Sequence, residues 1–179
     1  MRRRTLTLVA VAVAAACAGA GGSRSASGAP GAGGGPSFGY RVAGLPGAVA
    51  PLWVKPLAEG TVEYQFGAAA RAKGIVTVDR TLVNKGDDPV RLDLGRVRLR
   101  APSGDEAALL EACAGGECLE GGAARGHVTV LEAGKSLRLR TEFGPLGAED
   151  LLEKATFVDE GIFVAGRLAL VAVELERAP

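Results

Sequence analysis

Residues 74–100, GIVTVDRTLVNKGDDPVRLDLGRVRLR, decide the fold of this chain. Apolar and polar residues alternate on both sides of the centre, which is the period-two pattern of half-buried strands. The centre, residues 84–89, holds asparagine, glycine and aspartate, which suit a tight turn, and a proline that can open the next strand. We therefore predict a β-hairpin here, with Arg80 as a charged residue on an otherwise apolar face.

Period-two alternation recurs on both sides of this stretch. Strands are predicted at residues 38–42, 61–67, 127–131, 136–143, 157–164 and 167–176. The turn residues at 132–135 predict that 127–143 forms a second hairpin, and the near-continuous apolar run of the last strand predicts a central, well-covered position. Short helical segments are predicted at 105–113 and 148–155, and a connection at 68–73. The chain is therefore predicted to be all-β with short helical connections.

The composition limits what the core and the partners can be. Aromatic residues make up only 4% of the chain, so valine, leucine and alanine must fill most of the core. Without the three arginines near the N-terminus, the 21 basic residues fall to 18 against 20 acidic ones. A nucleic-acid binder normally carries a basic excess, so this balance argues against that class of protein.

The first residues have the three-part plan of a secretory signal peptide. A basic start at residues 2–4 precedes an apolar run at 5–16, and small residues follow. The apolar run is too short to span a bilayer comfortably. We therefore predict export, with a signal peptide at residues 1–16.

Residues 14–17, AAAC, resemble a bacterial lipobox, in which small residues precede the cysteine that becomes the lipidated N-terminus. The motif prefers leucine where this chain has Ala14, and ordinary cleavage after a nearby alanine is the alternative. The resemblance implies that Cys17 carries lipid. A Gly/Ala/Ser tether at residues 17–37 is predicted to be disordered because it has no large apolar side chain. Ala18, where some lipoproteins have aspartate, favours the outer membrane.

Cys113 and Cys118 are the two cysteines that remain. Four residues, two of them glycine, separate them, so the chain can curl back and bring the sulfurs together. In an oxidising compartment a disulfide is the expected state. Two alternatives stay open. One is a redox site, although redox pairs usually have C-x-x-C spacing, and the other is a thiolate metal site that includes His127.

The sequence carries no catalytic constellation. It has one histidine, no nucleophile elbow, no phosphate-binding glycine loop and no H-E-x-x-H motif. We therefore predict a protein that is not an enzyme and that uses no cofactor or metal.

Arg96, Arg98 and Arg100 share one face of a predicted strand, because they lie at two-residue spacing. They are predicted either to pair with carboxylates of a neighbouring strand or to contact an anion or acidic polymer. Trp53, the single tryptophan, is predicted to cover one end of the core, with an exposed sugar contact as the alternative.

Asn84, Gly86, Asp87, Pro89 and Val90 match the form N-x-G-D-x-P-V between two alternating strands. In this form the stretch resembles the immunoglobulin-like domains of bacterial envelope lipoproteins. The resemblance implies an antiparallel two-sheet immunoglobulin-like sandwich of about seven to nine strands over residues 38–179. Such domains usually bind or scaffold, and the resemblance transfers no site residues.

These inferences together predict a membrane-tethered, non-catalytic binding or structural module of the bacterial cell envelope. Its lipid anchor would hold it at the outer membrane, facing the periplasm or the surface. The expected partner is another envelope protein or a polysaccharide. The alternatives are a periplasmic metal-handling protein that uses the cysteine pair and an inhibitor-like module that presents the disulfide loop.

The lipid anchor is testable by metabolic labelling with a fatty acid. The wild-type protein is expected to incorporate the label, and Cys17→Ala is expected to lose it completely, because the thiol of Cys17 is the predicted acceptor. Equal labelling of both proteins would rule out Cys17 as the anchor.

Overall fold

A computed structural model describes residues 37–44, 53–144 and 153–179. Twelve strands make up most of this part of the chain: β1 Phe38–Val42, β2 Trp53–Leu57, β3 Val62–Ala72, β4 Ile75–Asn84, β5 Val90–Asp93, β6 Val97–Arg100, β7 Leu109–Ala114, β8 Glu117–Glu120, β9 Val128–Leu131, β10 Ser136–Phe143, β11 Lys154–Val164 and β12 Arg167–Arg177. The helical elements are a 3₁₀ turn, Ala58–Gly60, and one α-helical turn, α1, at Gly121–Ala124. The prediction of an all-β protein is therefore confirmed.

The predicted signal peptide, Cys17 and most of the predicted tether lie outside the described residues, as does most of the helical segment predicted at 148–155. The end of that segment, Lys154 and Ala155, begins β11 and is strand.

Two other local predictions are wrong. Residues 109–113, expected to be helical, belong to β7, which pairs with β10 on one side and β8 on the other. Residues 68–72, expected to be a connection, continue β3 and pair with β4. In both cases the hydrogen bonds of a neighbouring strand outweigh the weak helix propensity of an alanine-rich segment.

Neither predicted hairpin forms, although all residues of both are described. β4 pairs with β3 and β10, whereas β5 pairs with β9 and β11. β10 pairs with β4 and β7, so it lies away from β9. The connections after Asn84 and after Leu131 are therefore crossovers between two parts of the sheet.

β2 and β3 form a hairpin through residues 58–61. Three further hairpins have two-residue turns with positive φ at both positions: Lys73–Gly74 between β3 and β4, Gly115–Gly116 between β7 and β8, and Ala165–Gly166 between β11 and β12. These dihedral signs match the right-handed twist of the paired strands. The longer connections at 85–89 and 132–135 lack this geometry.

All strand pairs are antiparallel and form one curled sheet with two halves. The front half contains β2, β3, β4, β7, β8 and β10, and the back half contains β5, β6, β9, β11 and β12. Strand β1 joins the halves, since Tyr40 pairs with Ala69 of β3 and with Arg177 of β12. The structure therefore shows one continuous antiparallel sheet that curls around a core.

The inner faces of the two halves contact each other through aromatic rings. Phe157 of β11 lies 5.9 Å from Phe66 and 6.1 Å from Phe143, centroid to centroid, and both of those rings belong to the front half. Trp53 packs against Tyr64 with its centroid 6.4 Å away and is partly buried, in keeping with a role at the margin of the core. Each large buried side chain contributes roughly 1.5–3 kcal/mol to stability.

A buried ion pair crosses this core. The Arg80 Nε atom of β4 lies 3.0 Å from Asp159 Oδ2 of β11, and the two side chains are only 2% and 3% exposed. Arg80 also donates to Thr141 Oγ1, and its guanidinium lies 5.2 Å from the centroid of Phe157. Gly161 N–H donates to the second oxygen of Asp159. The charged residue on the predicted apolar face is therefore neutralised by the opposite half.

Tyr64 completes the polar cluster in the core. Burial raises the pKa of Tyr64 well above its usual value, and the adjacent Asp159 carboxylate raises it further. The phenol therefore stays protonated and neutral, so the cluster holds one positive and one negative charge.

Removal of Arg80 tests how much the ion pair stabilises the fold. Arg80→Met leaves the Asp159 carboxylate buried without its counter-charge, and should lower the free energy of unfolding by about 3–5 kcal/mol in urea denaturation. The double variant Arg80→Met/Asp159→Asn, which keeps the acceptor for Gly161 N–H, should recover part of this loss. A double variant as unstable as Arg80→Met would contradict the electrostatic explanation.

Candidate functional site

Large apolar side chains that remain exposed are concentrated on one face of the back half. The described residues include five of them, between 42% and 53% exposed: Val54, Val128, Val130, Leu168 and Leu170. All except Val54 lie on the outward side of β9 and β12. Single exposed apolar residues are ordinary, but a group on one face indicates an interaction surface.

The strand register places several of these residues in one row. Val130 pairs with Arg91, Arg91 with Phe163, and Phe163 with Leu168. Because neighbouring strands lie about 4.8 Å apart, the row spans about 14 Å over four strands. We call Val128, Val130, Phe163, Leu168 and Leu170, with Arg91 and Arg96, the outer apolar face.

The alternation of the strands explains why this face points outward. Val90 and Leu92 are buried in the core, so Arg91 between them faces solvent. Leu131 is likewise buried, which turns Val130 outward. The apolar run of β12 is therefore not fully covered, and the prediction of a central, well-covered last strand is wrong for Leu168 and Leu170.

Two arginines give the outer apolar face its charge. The Arg96 guanidinium lies 5.5 Å from the centroid of Phe163, within cation–π range. Within the described ranges, neither Arg91 nor Arg96 has a carboxylate oxygen within 4.0 Å. Asp93, which also faces outward on β5, accepts a hydrogen bond from Gly95 N–H. The surface thus combines aliphatic, aromatic and guanidinium groups.

The three arginines that the sequence groups together differ in their ion pairs. The Nη1 and Nη2 atoms of Arg98 each lie 3.3 Å from a carboxylate oxygen, of Glu106 and Glu160 respectively, and Arg100 Nε lies 2.9 Å from Glu106 Oε1. The hydrogen bond from Arg100 lowers the pKa of Glu106, and Arg98 lowers it further. Arg98 and Arg100 therefore follow the carboxylate-pairing alternative. An anion contact at these residues stays a prediction, and only Arg96 has a charge not already matched by an ion pair.

Cys113 and Cys118 form a disulfide, with their sulfurs 2.09 Å apart. They are directly opposed in the β7–β8 hairpin, which turns at Gly115 and Gly116 with φ of 61° and 100°. Glycine adopts such angles without steric cost, so the two strands can return in register. The predicted cysteine pairing is confirmed, although the pair joins two strands and does not follow a helix.

The candidate metal site at the cysteine pair has Glu111 as its third residue, in place of His127. Glu111 and the two cysteines have ligand atoms within 4.8 Å of one another, and no other such group occurs in the part of the chain that is described. His127, which the sequence suggested, is not among them. Glu111 could have been found from its two-residue spacing to Cys113, since strand residues i and i+2 share a face. Sulfurs bonded to each other are not thiolates, so this group is not poised to hold a metal.

Within the described ranges, none of the helical segments has the length and apolar content needed to cross a membrane.

Comparisons with known proteins identify no family for this chain. No family model and no curated protein matches the chain. Among solved structures, the chain is similar to the yjhA protein from Bacillus subtilis, at 13% sequence identity and a TM-score of 0.40. That similarity covers 61% of this chain and 78% of the other.

The disulfide should contribute modestly to stability. Because the closed loop is short, Cys113→Ser/Cys118→Ser should lower the free energy of unfolding by about 2 kcal/mol, measured in urea. Reductant should lower the free energy of unfolding of the wild-type protein by a similar amount and should leave that of the variant unchanged. If reductant also destabilised the variant, the disulfide would not be the origin of the loss.

Proposed function

We propose that this protein is a non-catalytic binding module of the bacterial cell envelope, and that the outer apolar face is its binding surface. The observation that carries this proposal is the concentration of four of the five exposed large apolar side chains on one side of the back half. Side chains on this face are aliphatic, aromatic or guanidinium groups, with Asp93 beside them. Such groups bury area and orient a partner, and they provide no acid–base pair.

The charge of the face favours one kind of partner. Arg91 lies in the middle of the apolar row, and Arg96 stacks on Phe163. A protein surface that carries carboxylates beside apolar side chains would match both features. Opposite charges across an interface speed association and exclude wrong partners, while the apolar contacts provide most of the affinity.

An immunoglobulin-like arrangement of two sheets is the fold that we propose for the module. Three observations support it. The aromatic rings and the ion pair Arg80–Asp159 connect the front and back halves face to face. The connections after Asn84 and Leu131 cross from one half to the other. Strand β1 pairs with both halves.

The attachment to a membrane rests on the sequence. The signal peptide at 1–16 and the lipobox-like segment that ends at Cys17 favour export and lipidation. A random coil as long as the predicted tether, about twenty residues, has an end-to-end distance of roughly 25 Å, which would place the module close to the membrane that anchors it. The module would thus meet its partner within the envelope, at the outer membrane.

Site-specific photo-crosslinking tests the binding surface. A photoreactive amino acid in place of Val130 of the full-length protein, expressed in its own cells, should form a crosslink to a protein. The crosslinked peptide should carry aspartate or glutamate next to apolar residues. The same amino acid in place of Ser136, exposed on β10 of the front half, is the matched control and should crosslink far less.

Reversal of the charge at position 91 tests whether the guanidinium of Arg91 contributes to the same contact. Arg91→Glu should reduce the Val130 crosslink by about tenfold or more, since like charges then meet across the interface. Arg138→Glu, an equally drastic change at an exposed arginine of β10, should leave it unchanged. Equal crosslinking from positions 130 and 136, or crosslinks to lipid or polysaccharide alone, would refute the proposed surface.

A further inference from the structure

A cleft of about 660 Å³ lies between β2 and the first half of β12. Its walls include Lys55 and Leu57 on one side and Leu168 and Leu170 on the other. The 3₁₀ turn at Ala58–Gly60 and the segment with Asp87 and Asp88 lie around one end. The cleft opens where the two halves of the sheet separate.

Both strands along this cleft have an open edge. β12 pairs with β1 from Leu175 to Arg177, and the Ala43 N–H donates to the Glu174 carbonyl at 2.8 Å. From 167 to 173, β12 has strand partners only in β11, as far as the described residues go. Among the described residues, β2 likewise pairs only with β3. Two edges that have no strand partner in the described part of the chain thus line one cavity.

The pairing of Glu174 shows which groups of β12 point into the cleft. In an antiparallel strand, the backbone N–H and C=O of alternate residues point to the same side. Since the Glu174 carbonyl faces β1, the backbone groups of Ala172, Leu170 and Leu168 face the cleft. This edge offers a regular series of donors and acceptors, which is the feature that an added strand recognises.

We propose that this cleft binds an extended segment of another polypeptide, which adds to the edge of β12 antiparallel to it and in line with β1. The bound segment would continue the β1–β12 ladder beyond Glu174. Leu168 and Leu170 belong both to the cleft and to the outer apolar face, but the segment would bind through the backbone edge of β12, whereas the partner proposed for the outer apolar face contacts outward side chains.

The charges at one end of the cleft select the sequence and direction of the segment. β3 and β12 both run antiparallel to β1, and Tyr40 is level with Ala69 and Arg177, so both strands begin at the same end of the cleft. Three carboxylates lie around that end, from Glu59, Asp87 and Asp88, and the basic groups that line the cleft are those of Arg167 and Lys55. None of the five takes part in an ion pair among the described residues.

An antiparallel segment ends where β12 begins. Its C-terminal residues would therefore lie beside the three carboxylates, and basic side chains are the groups that complement them. The predicted ligand is a β-prone segment with lysine or arginine at its C-terminal end.

A set of synthetic peptides tests both the mode and the direction of binding. The probe is a fluorescently labelled peptide with alternating valine and threonine followed by two lysines, and its binding to full-length protein in detergent is measured by anisotropy. Saturable binding is expected. The same composition with the lysines first should bind more weakly, and a peptide N-methylated at alternate residues should not bind, because it lacks the backbone donors that a ladder needs.

The protein variants separate the backbone contribution from the side chain. Leu170→Pro removes an N–H that faces the cleft, whereas Leu170→Ala shortens the same side chain and keeps that donor. Leu170→Pro is expected to bind the probe about tenfold more weakly than Leu170→Ala. Asp87→Asn/Asp88→Asn should reduce the preference for C-terminal lysines. Circular dichroism would show whether each variant is folded, and Ala172→Pro against Ala172→Gly gives a second matched pair.

Several results would overturn the proposal. The first is a failure of the unmodified peptide to bind saturably. The second is that the N-methylated peptide binds as tightly as the unmodified one. The third is that Leu170→Pro and Leu170→Ala bind the unmodified peptide with equal affinity. Sedimentation would identify the remaining occupant of the edge: a dimer of the wild type that Leu170→Pro dissociates would assign the cleft to a second copy of this chain.

Discussion

The structure depends on the ion pair between Arg80 and Asp159. Arg80 belongs to the front half and Asp159 to the back half, and water is excluded from both. A buried ion pair is weak evidence for stability, but a buried charge without its partner is costly. The two halves must therefore meet in the arrangement that joins these atoms, while Phe66, Phe143 and Phe157 supply the surrounding contact. The apolar core provides the driving force, and the ion pair restricts how the halves can face each other.

Most strand positions could be predicted from the sequence, although β2, β7 and β8 were missed, whereas strand partners could not. Alternation is a local property, so β4, β5, β9 and β10 are visible in it. Pairing depends on hydrogen bonds between distant residues, and Asn84 illustrates this dependence. Its side chain donates to the carbonyls of Asp88 and Leu131, so it joins the two crossovers that the sequence presents as hairpin turns. The true turns at Lys73–Gly74 and Ala165–Gly166 were hidden because lysine and alanine rarely adopt positive φ.

The candidate surface was only partly visible in the sequence. The arginines of β5 and β6 stood out by their spacing, but Val128, Val130 and Leu168 look like core residues to any pattern that counts apolar side chains. They are exposed because Leu131 and Val171, in the same strands but on the opposite face, point into the core. Which face of a strand points inward depends on the pairing of the whole sheet. The edge of β12 was equally hidden, since only the pairing of every neighbouring strand shows which edge has no partner among the described residues.

The position of β1 has a mechanical consequence for a module held at its N-terminus. β1 is bonded along both edges, to β3 and to β12, and it is the first strand after the predicted tether. A pull on Phe38 along the strand axis loads both ladders in shear, so their hydrogen bonds share the force and do not open one after another. Under the proposed anchoring at Cys17, a force on the tether would therefore act first on a strand that is held by two ladders.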